Sequence, residues 1–325
     1  MIKTNFLNGQ GLGNQLWAYA AVRGIAKKLG MPYSVGEKKY FKGDTFLEIS
    51  LSDSSDKDFD SFYIFKEQQF FDQELQYFAT DYDTRVEKLQ ENTLIQGYFQ
   101  SEKYLYEFNE SLSDWIPLSD AMKEYSQQFS ETCILNIRGG EYKRHKSLIL
   151  PKSYWEDGML NVQKKTSLDK FLIVTDDPSY AKALFPNMPI LNGGVAECYA
   201  ALYGANSLIV SNSSFSYFPI KTRKDFPLVI APYQWSRFGN KYNRWAAPAN
   251  LYKDWSWQDN NGDIVNYEEC EFNCKQTLNY YKSEYNVLTK SSAVGLKNKF
   301  KYVPVQLKRP IKLILSMLLP KHFGK

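Results

Sequence analysis

The sequence predicts an α/β protein whose second half is built on a parallel sheet, and three observations carry that expectation. From Thr132 onward, short apolar runs at 132–137, 170–175, 188–191, 207–211 and 227–231 alternate with helical patterns at about 152–165, 178–185 and 195–206. Strand–helix alternation at this spacing implies parallel strands joined by crossover helices, a Rossmann-like arrangement. Near the N-terminus a glycine-rich turn, Gly9-Gln10-Gly11-Leu12-Gly13-Asn14-Gln15, feeds a helical pattern that runs to Leu29. The length, 325 residues, exceeds one ordinary core and suggests two domains.

In the first helix Ala18, Val22, Ile25 and Leu29 fall on one face, and Gly30-Met31-Pro32 stops it. A glycine-rich turn at a helix N-terminus offers backbone N–H groups and a positive dipole end to an anion. A purely structural tight turn explains the glycines equally well, and the spacing is not the dinucleotide fingerprint. Asn14 and Gln15 add amides able to hydrogen-bond a ligand. Residues 38–92 are acidic, aromatic and poorly periodic, and read as short strands and loops with a polar loop at Ser52-Asp53-Ser54-Ser55-Asp56. Leu94-Ile95-Gln96-Gly97 then reads as a strand, followed by a bend and a helix capped near Ser101. A domain boundary is expected at 115–130, around Trp115-Ile116-Pro117.

The second half carries polar groups where its strands end. The run Cys133 to Ile137 reads as a buried parallel strand that stops at Arg138-Gly139-Gly140. In open α/β sheets ligands sit outside the carboxyl ends of the strands. An arginine there supplies a planar fork of donors suited to phosphate, and the glycines let the chain turn and a ligand approach. The alternative is a simple turn with Arg138 solvated or ion-paired. Phe171 to Val174 runs into Thr175-Asp176-Asp177-Pro178, where Pro178 suits the first turn of a helix. Asp177 reads as its cap, leaving Asp176 to accept hydrogen bonds from a base or ribose. Leu208 to Val210 runs into Ser211-Asn212-Ser213-Ser214-Phe215-Ser216, whose hydroxyls serve either as helix caps or as part of a phosphate cradle.

Composition narrows the class. Hydrophobic residues at 43% and charged residues at 23% describe a folded globular chain. Aromatics at 16% suit sugar-stacking clefts and ordinary cores alike. No signal peptide and no run of eighteen apolar residues is visible, so a cytoplasmic chain is expected. Its four cysteines would then stay reduced, and Cys270 and Cys274 lack the neighbours a zinc site needs. With two histidines, His145 and His322, a general base falls to a carboxylate or to His145. Nine lysines and arginines but no acid follow Glu284, so the first 284 residues carry −5 of a net +4. An acidic body with a basic tail argues against nucleic acid as a partner.

Taken in order, Gly-Leu-Gly-Asn-Gln, Gly-Tyr-Phe-Gln-Ser-Glu-Lys-Tyr, the strand ending in Arg-Gly, Thr-Asp-Asp and Ser-Asn-Ser-Ser-Phe-Ser resemble the bacterial α-1,2-fucosyltransferases of glycosyltransferase family 11. The resemblance spans residues 9 to about 219. It implies a GT-B-like fold, two Rossmann-like domains facing across a cleft. Residues 1–128 would form the acceptor-side domain, 129–290 the GDP-sugar domain, and 291–325 a basic amphipathic tail. It also implies inverting transfer of L-fucose from GDP-fucose to a galactose-type hydroxyl without metal or other cofactor. Arg138 would clamp the diphosphate, with Gly11, Asn14 and Gln15 near the phosphate and fucose. Asp176, beside Asp177, would face the nucleoside, and Ser213 and Ser214 the phosphates. The family's usual His-x-Arg-Arg-Gly-Asp-Tyr loop is here Asn136-Ile137-Arg138-Gly139-Gly140-Glu141-Tyr142. Asn136 can still bond a base but cannot titrate, and Gly139 removes a second guanidinium.

The chemistry of such a transfer asks for a carboxylate or imidazole to take the acceptor's proton. Glu141 and His145 are the nearest candidates, although Glu141 could instead brace the loop and His145 could be a solvated loop residue. Two other readings stand beside this one: an inverting transferase for a different nucleotide sugar, and a non-catalytic carbohydrate-binding or scaffold protein on the same fold. Cations flank the apolar run within 296–325, which suits an interfacial helix on anionic lipid at the inner face of the cytoplasmic membrane. That placement would put the enzyme beside lipid-linked or oligosaccharide acceptors for O-antigen or capsule. The alternative is a tail packed on the body, and flotation of vesicles with the full chain against one ending near residue 295 separates the two.

Overall fold

The computed structural model describes residues 1–52, 62–105 and 111–290. Most of the polar loop expected at 52–56 and the whole basic tail at 291–325, with its expected membrane contact, lie outside the described residues.

The first half comprises β1 (Ile2–Asn5), α1 (Leu12–Lys28), β2 (Tyr33–Gly36), β3 (Tyr63–Lys66), β4 (Phe70–Asp72), β5 (Tyr77–Ala79) and β6 (Thr93–Gln96). Four of these strands form a wholly parallel sheet in the order β2-β1-β6-β3, with Ile2 opposite both Tyr33 and Thr93. β4 and β5 form a separate antiparallel hairpin. Short helices α2 (Leu112–Trp115) and α3 (Asp120–Ser126) lead to the second half.

The second half contains β7 (Cys133–Ile137), α4 (Lys152–Lys165), β8 (Phe171–Thr175), α5 (Pro178–Leu184), α6 (Val195–Gly204), β9 (Ser207–Val210), α7 (Tyr217–Lys221), β10 (Leu228–Pro232), β11 (Ser256–Gln258), β12 (Ile264–Val265) and α8 (Tyr267–Lys290). Its sheet runs β8-β7-β9-β10-β11-β12, parallel except for the last strand. Both faces are covered, so β7 is buried at every position. Its alternate residues Cys133, Leu135 and Ile137 join the core around Trp155 of α4, whereas Ile134 joins the opposite core. The run at 188–191 does not become a strand. Only Ile190 bridges Ile173, Pro189 having no N–H to extend a ladder.

One expectation changes once the chain is folded. The one-sided face assigned to α1 proves too narrow, because from Leu12 to Ala26 only Asn14 and Arg23 are not buried. The helix is wedged between its own sheet and α7: Trp17 lies 4.3 Å from Tyr217 and 5.2 Å from Phe218, ring to ring. Alanines at 18, 20, 21 and 26 and Gly24, which abuts the Tyr104 carbonyl, permit that approach. The stretch 115–130, where a domain boundary is expected, is packed. Ile116 and Leu118 are buried, Leu118 bridges Leu47, and one apolar core runs from β1 and α1 through this stretch to β7 and β9.

Candidate functional site

The second sheet has the strand order 2-1-3-4-5 of a doubly wound fold, and its order reverses between β7 and β9. The connections from these two strands leave toward opposite sides, opening a crevice at their carboxyl ends. Arg138 follows the last residue of β7, and Ser211, Asn212 and Ser213 follow the last of β9.

The crevice holds an unusual density of unpaired polar atoms. Among the described residues, Arg138 Nε, Asn136 Oδ1, Ser211 Oγ and both amide atoms of Asn212 are buried without a hydrogen-bond partner. A buried polar atom left unpaired costs roughly 1–3 kcal/mol, so their convergence at a switch point marks a place built to receive hydrogen-bonding groups. Asn136 Nδ2 reaches the Val174 carbonyl at 3.5 Å. Tyr142 donates its phenol to the Asn212 carbonyl at 3.0 Å, and burial pushes that phenol up to about 12. Its ring lies 5.3 Å from the Arg138 guanidinium, which steadies the arginine.

Arg138 Nη1 also pairs with Asp176 Oδ2 at 3.1 Å, the two side chains being 23% and 26% exposed. Asp176 Oδ1 accepts from the Gly139 N–H at 3.0 Å. Asp176, expected to face a nucleoside, is here partly exposed and braces the arginine loop. Its closeness also explains the glycines, because a Cβ on Gly140 would collide with the Asp176 carboxylate and one on Gly139 with Tyr180 and Asp177. The glycines make room for these carboxylates, where ligand approach was expected. Asp177 caps α5, accepting from Tyr180 N–H at 3.0 Å, and pairs with Lys143. The Lys143 ammonium, helped by the Tyr180 N–H, holds the Asp177 carboxyl below its ordinary range.

The N-terminal glycine turn reaches the same crevice. Asn14 Oδ1 accepts from Ser214 Oγ at 2.7 Å and from Gln100 Nε2 at 2.8 Å. A Cβ on Gly13 would fall onto the Ser214–Phe215 backbone, so α1 and the serine loop touch main chain to main chain. Gly11 is exposed at the start of α1. Ser213 caps the turn that follows it, its hydroxyl accepting from Phe215 N–H at 3.3 Å. Gln15 does not join them. It is fully buried, donating to the Tyr40 carbonyl at 2.6 Å and accepting from Lys42 N–H at 3.0 Å, and so ties residues 40–42 to α1. Its expected ligand contact is corrected to this structural role. Glu141, on a 3₁₀ turn, and His145, between that turn and the next, are exposed, and among the described residues neither side chain makes a hydrogen bond or ion pair. No cluster of three or more His, Cys, Asp or Glu able to hold a metal occurs among the described residues.

Glu67, just past the carboxyl end of β3, went unnoticed in the sequence, where one acid among many carries no signal. It is buried and accepts from Tyr98 N–H at 2.7 Å and Phe99 N–H at 3.0 Å. Burial outweighs those two donors and pushes its carboxyl up to about 8. The unfolded chain would release this proton near pH 4.5 and the folded chain near 8. Folding stability is thus full below that window and falls as pH rises through it, by on the order of 5 kcal/mol. Glu67→Gln, which mimics the protonated acid, is expected to flatten the decline of the thermal midpoint between about pH 5 and pH 8. An unchanged decline would mean that another group carries the proton.

No family model matches the chain. The O-antigen biosynthesis glycosyltransferase WbnK of Escherichia coli is 25% identical over 167 residues, which is 47% of this chain and 55% of that protein. The match spans about half the length of that curated relative. Among solved structures, the fucosyltransferase NodZ from Bradyrhizobium is 10% identical with a TM-score of 0.42, covering 71% of this chain and 94% of that one. A glycosyl transferase family 9 protein from Veillonella parvula is 11% identical with a TM-score of 0.43, covering 85% and 96%. Likenesses this distant assign neither fold nor activity, and the fold stands on the strand order and pairing described above.

Proposed function

We propose that the chain is an inverting, metal-independent glycosyltransferase that takes a GDP-sugar, GDP-fucose first among them. The sugar would pass to a galactose-type hydroxyl, in α-1,2 linkage, on a bacterial surface glycan such as an O-antigen or capsule repeat. The observation that carries the reading is the crevice between β7 and β9, where Arg138 and the unpaired groups of Asn136, Ser211 and Asn212 converge. The partial likeness to WbnK supports the transferase class and the O-antigen setting. The ordered motifs from Gly9 to Ser216 support fucose.

In such a transfer the acceptor oxygen bonds to the anomeric carbon from the face opposite the diphosphate, and the bond from that carbon to the phosphate oxygen breaks. Negative charge grows on the leaving GDP. Arg138, with a buried Nε that has no partner, is the donor that would meet it. The acceptor's proton must pass to an acid-base group, and Glu141 and His145, exposed on the loop after Arg138, are the candidates. A second reading, transfer from a different nucleotide sugar, is favoured by Asp176, each of whose oxygens already meets a group of the arginine loop.

Calorimetric titration with GDP, UDP, CDP and dTDP separates these readings. Selective binding of GDP is expected. Selective binding of another nucleotide would retain the transferase and discard fucose. Binding of none by the folded protein would favour a non-catalytic carbohydrate-binding role.

A further inference from the structure

At the other end of the second sheet from the crevice lies a separate cavity of about 460 Å³. Lys221, Arg223, Lys224 and Phe226 line it from the connection that leads out of α7 into β10, and Lys253 and Asp254 from the one that precedes β11. Because β9, β10 and β11 run parallel, these connections sit at the amino ends of their strands. Arg138 and the serine loop follow carboxyl ends. Glu102 and the start of α2, at Ser111 and Leu112, close the cavity from the first half.

Among the described residues the charges of this lining do not balance. Lys221 is buried, its side chain 5% exposed, and its ammonium lies 3.1 Å from Glu102 Oε1 and 3.0 Å from Asp254 Oδ2. Tyr217 also donates its phenol to Glu102, at 3.0 Å. Both carboxylates of the lining are therefore engaged with Lys221. Arg223 donates to the Ala205 carbonyl and to Asn206 Oδ1, which are neutral acceptors. Lys224 and Lys253 are exposed and form no ion pair with the lining. Three cations thus border the cavity with no carboxylate of the lining paired to them. Beside them the Phe226 ring is 62% exposed, 5.9 Å from the Lys221 ammonium, and Leu112 adds apolar surface.

We propose that this cavity binds the phosphate head of a membrane lipid, with Arg223, Lys224 and Lys253 meeting the phosphate and Phe226 and Leu112 the start of the apolar chain. The inference goes beyond the transferase reading and does not depend on it. Guanidinium and ammonium groups are the usual partners of phosphate. A bare phosphate would fill only a fraction of the cavity and leave the Phe226 ring in water, whereas a phosphate on an apolar chain uses both surfaces. An aromatic ring exposed among cations is also the composition of a contact with an anionic membrane surface. The chain's own tail does not suit the cavity, because its nine cations, with no acid after Glu284, would meet like charge.

Calorimetric titration of the full chain with three soluble probes tests it: geranyl diphosphate, which joins a phosphate head to an apolar chain, inorganic diphosphate, and geraniol. Geranyl diphosphate is expected to bind about tenfold more tightly than either of the others. Replacing Lys224 and Lys253 together by alanine should weaken that binding by about tenfold. Phe226→Ser should lower it toward the level of inorganic diphosphate and leave the affinity for inorganic diphosphate itself unchanged. All three side chains are exposed, so the thermal midpoint of each variant should stay at the wild-type value. Excess GDP should leave the affinity for geranyl diphosphate unchanged. Equal binding of inorganic diphosphate would make the cavity a site for free phosphate. Displacement by GDP would place the probe in the crevice, and binding undiminished in both variants would place it elsewhere on the chain. Any of these results, or no binding of geranyl diphosphate, would overturn the lipid site.

Discussion

Replacing Arg138 by alanine is expected to reduce nucleotide-dependent transfer by about 10²–10³, the usual consequence of removing one preorganised donor from developing charge. The fold should survive, because the side chain is partly exposed and the Asp176 carboxylate keeps its bond from Gly139 N–H. With side chains 23% and 26% exposed, the ion pair is partly screened, and its loss is expected to cost about 1 kcal/mol. Arg138→Lys should recover only part of the loss, as an ammonium cannot present two parallel donors to a phosphate. Nucleotide affinity by calorimetry and a thermal melt of each variant provide the check. An Arg138→Ala protein that binds nucleotide and transfers sugar at the wild-type level would remove Arg138 from the site.

Gly13→Val should produce the largest structural effect. The Cβ it adds would fall onto the main chain of Ser214 and Phe215, which cannot rotate aside as the end of a side chain could. Either α1 or the serine loop must move, at a cost of about 1–3 kcal/mol or more. The Asn14–Ser214 bond at 2.7 Å and the packing of Trp17 on Tyr217 would both be stretched. A lower thermal midpoint together with weakened nucleotide binding is therefore expected, although no atom of Gly13 need touch the nucleotide. A midpoint and affinity equal to wild type would show that the two halves are not in contact here. Because α1 is enclosed on nearly every side, the contact is expected to link the unfolding of the two sheets into one transition.

Much of the second half was legible before folding. Its strands are short apolar runs, and its helices begin at recognisable signals: Pro178 opens α5, and Asp177 caps it as expected. Arg138 could be singled out because a guanidinium directly after a buried strand is chemically conspicuous. The first half was not legible in this way. β3, β4 and β5 are only three or four residues long and are interleaved with acidic loops, so no period stands out over such a span.

Side-chain roles divide along a similar line. Asn14, Ser213 and Ser214 do gather at the crevice, but Gln15, one residue further along the helix, points into the core and serves the chain itself. Asp176 and Asp177 are likewise adjacent, and what each does depends on Arg138 and Lys143, which lie more than thirty positions away. Glu67 owes its raised carboxyl to burial, and the Tyr98 and Phe99 N–H groups it accepts from arrive only when β3 pairs with β6.

By itself, the sequence determined the elements whose causes are local: the strand that ends at Arg138, the cap at Asp177, the glycine turn that starts α1. These depend on propensity, capping and periodicity within a few residues. Only the tertiary structure decided the order of the strands, and with it the reversal between β7 and β9 that opens the crevice. It also decided which polar groups were used up in bracing and which were left unpaired. Both outcomes turn on contacts between residues distant in the chain, and such contacts leave no periodic trace along it.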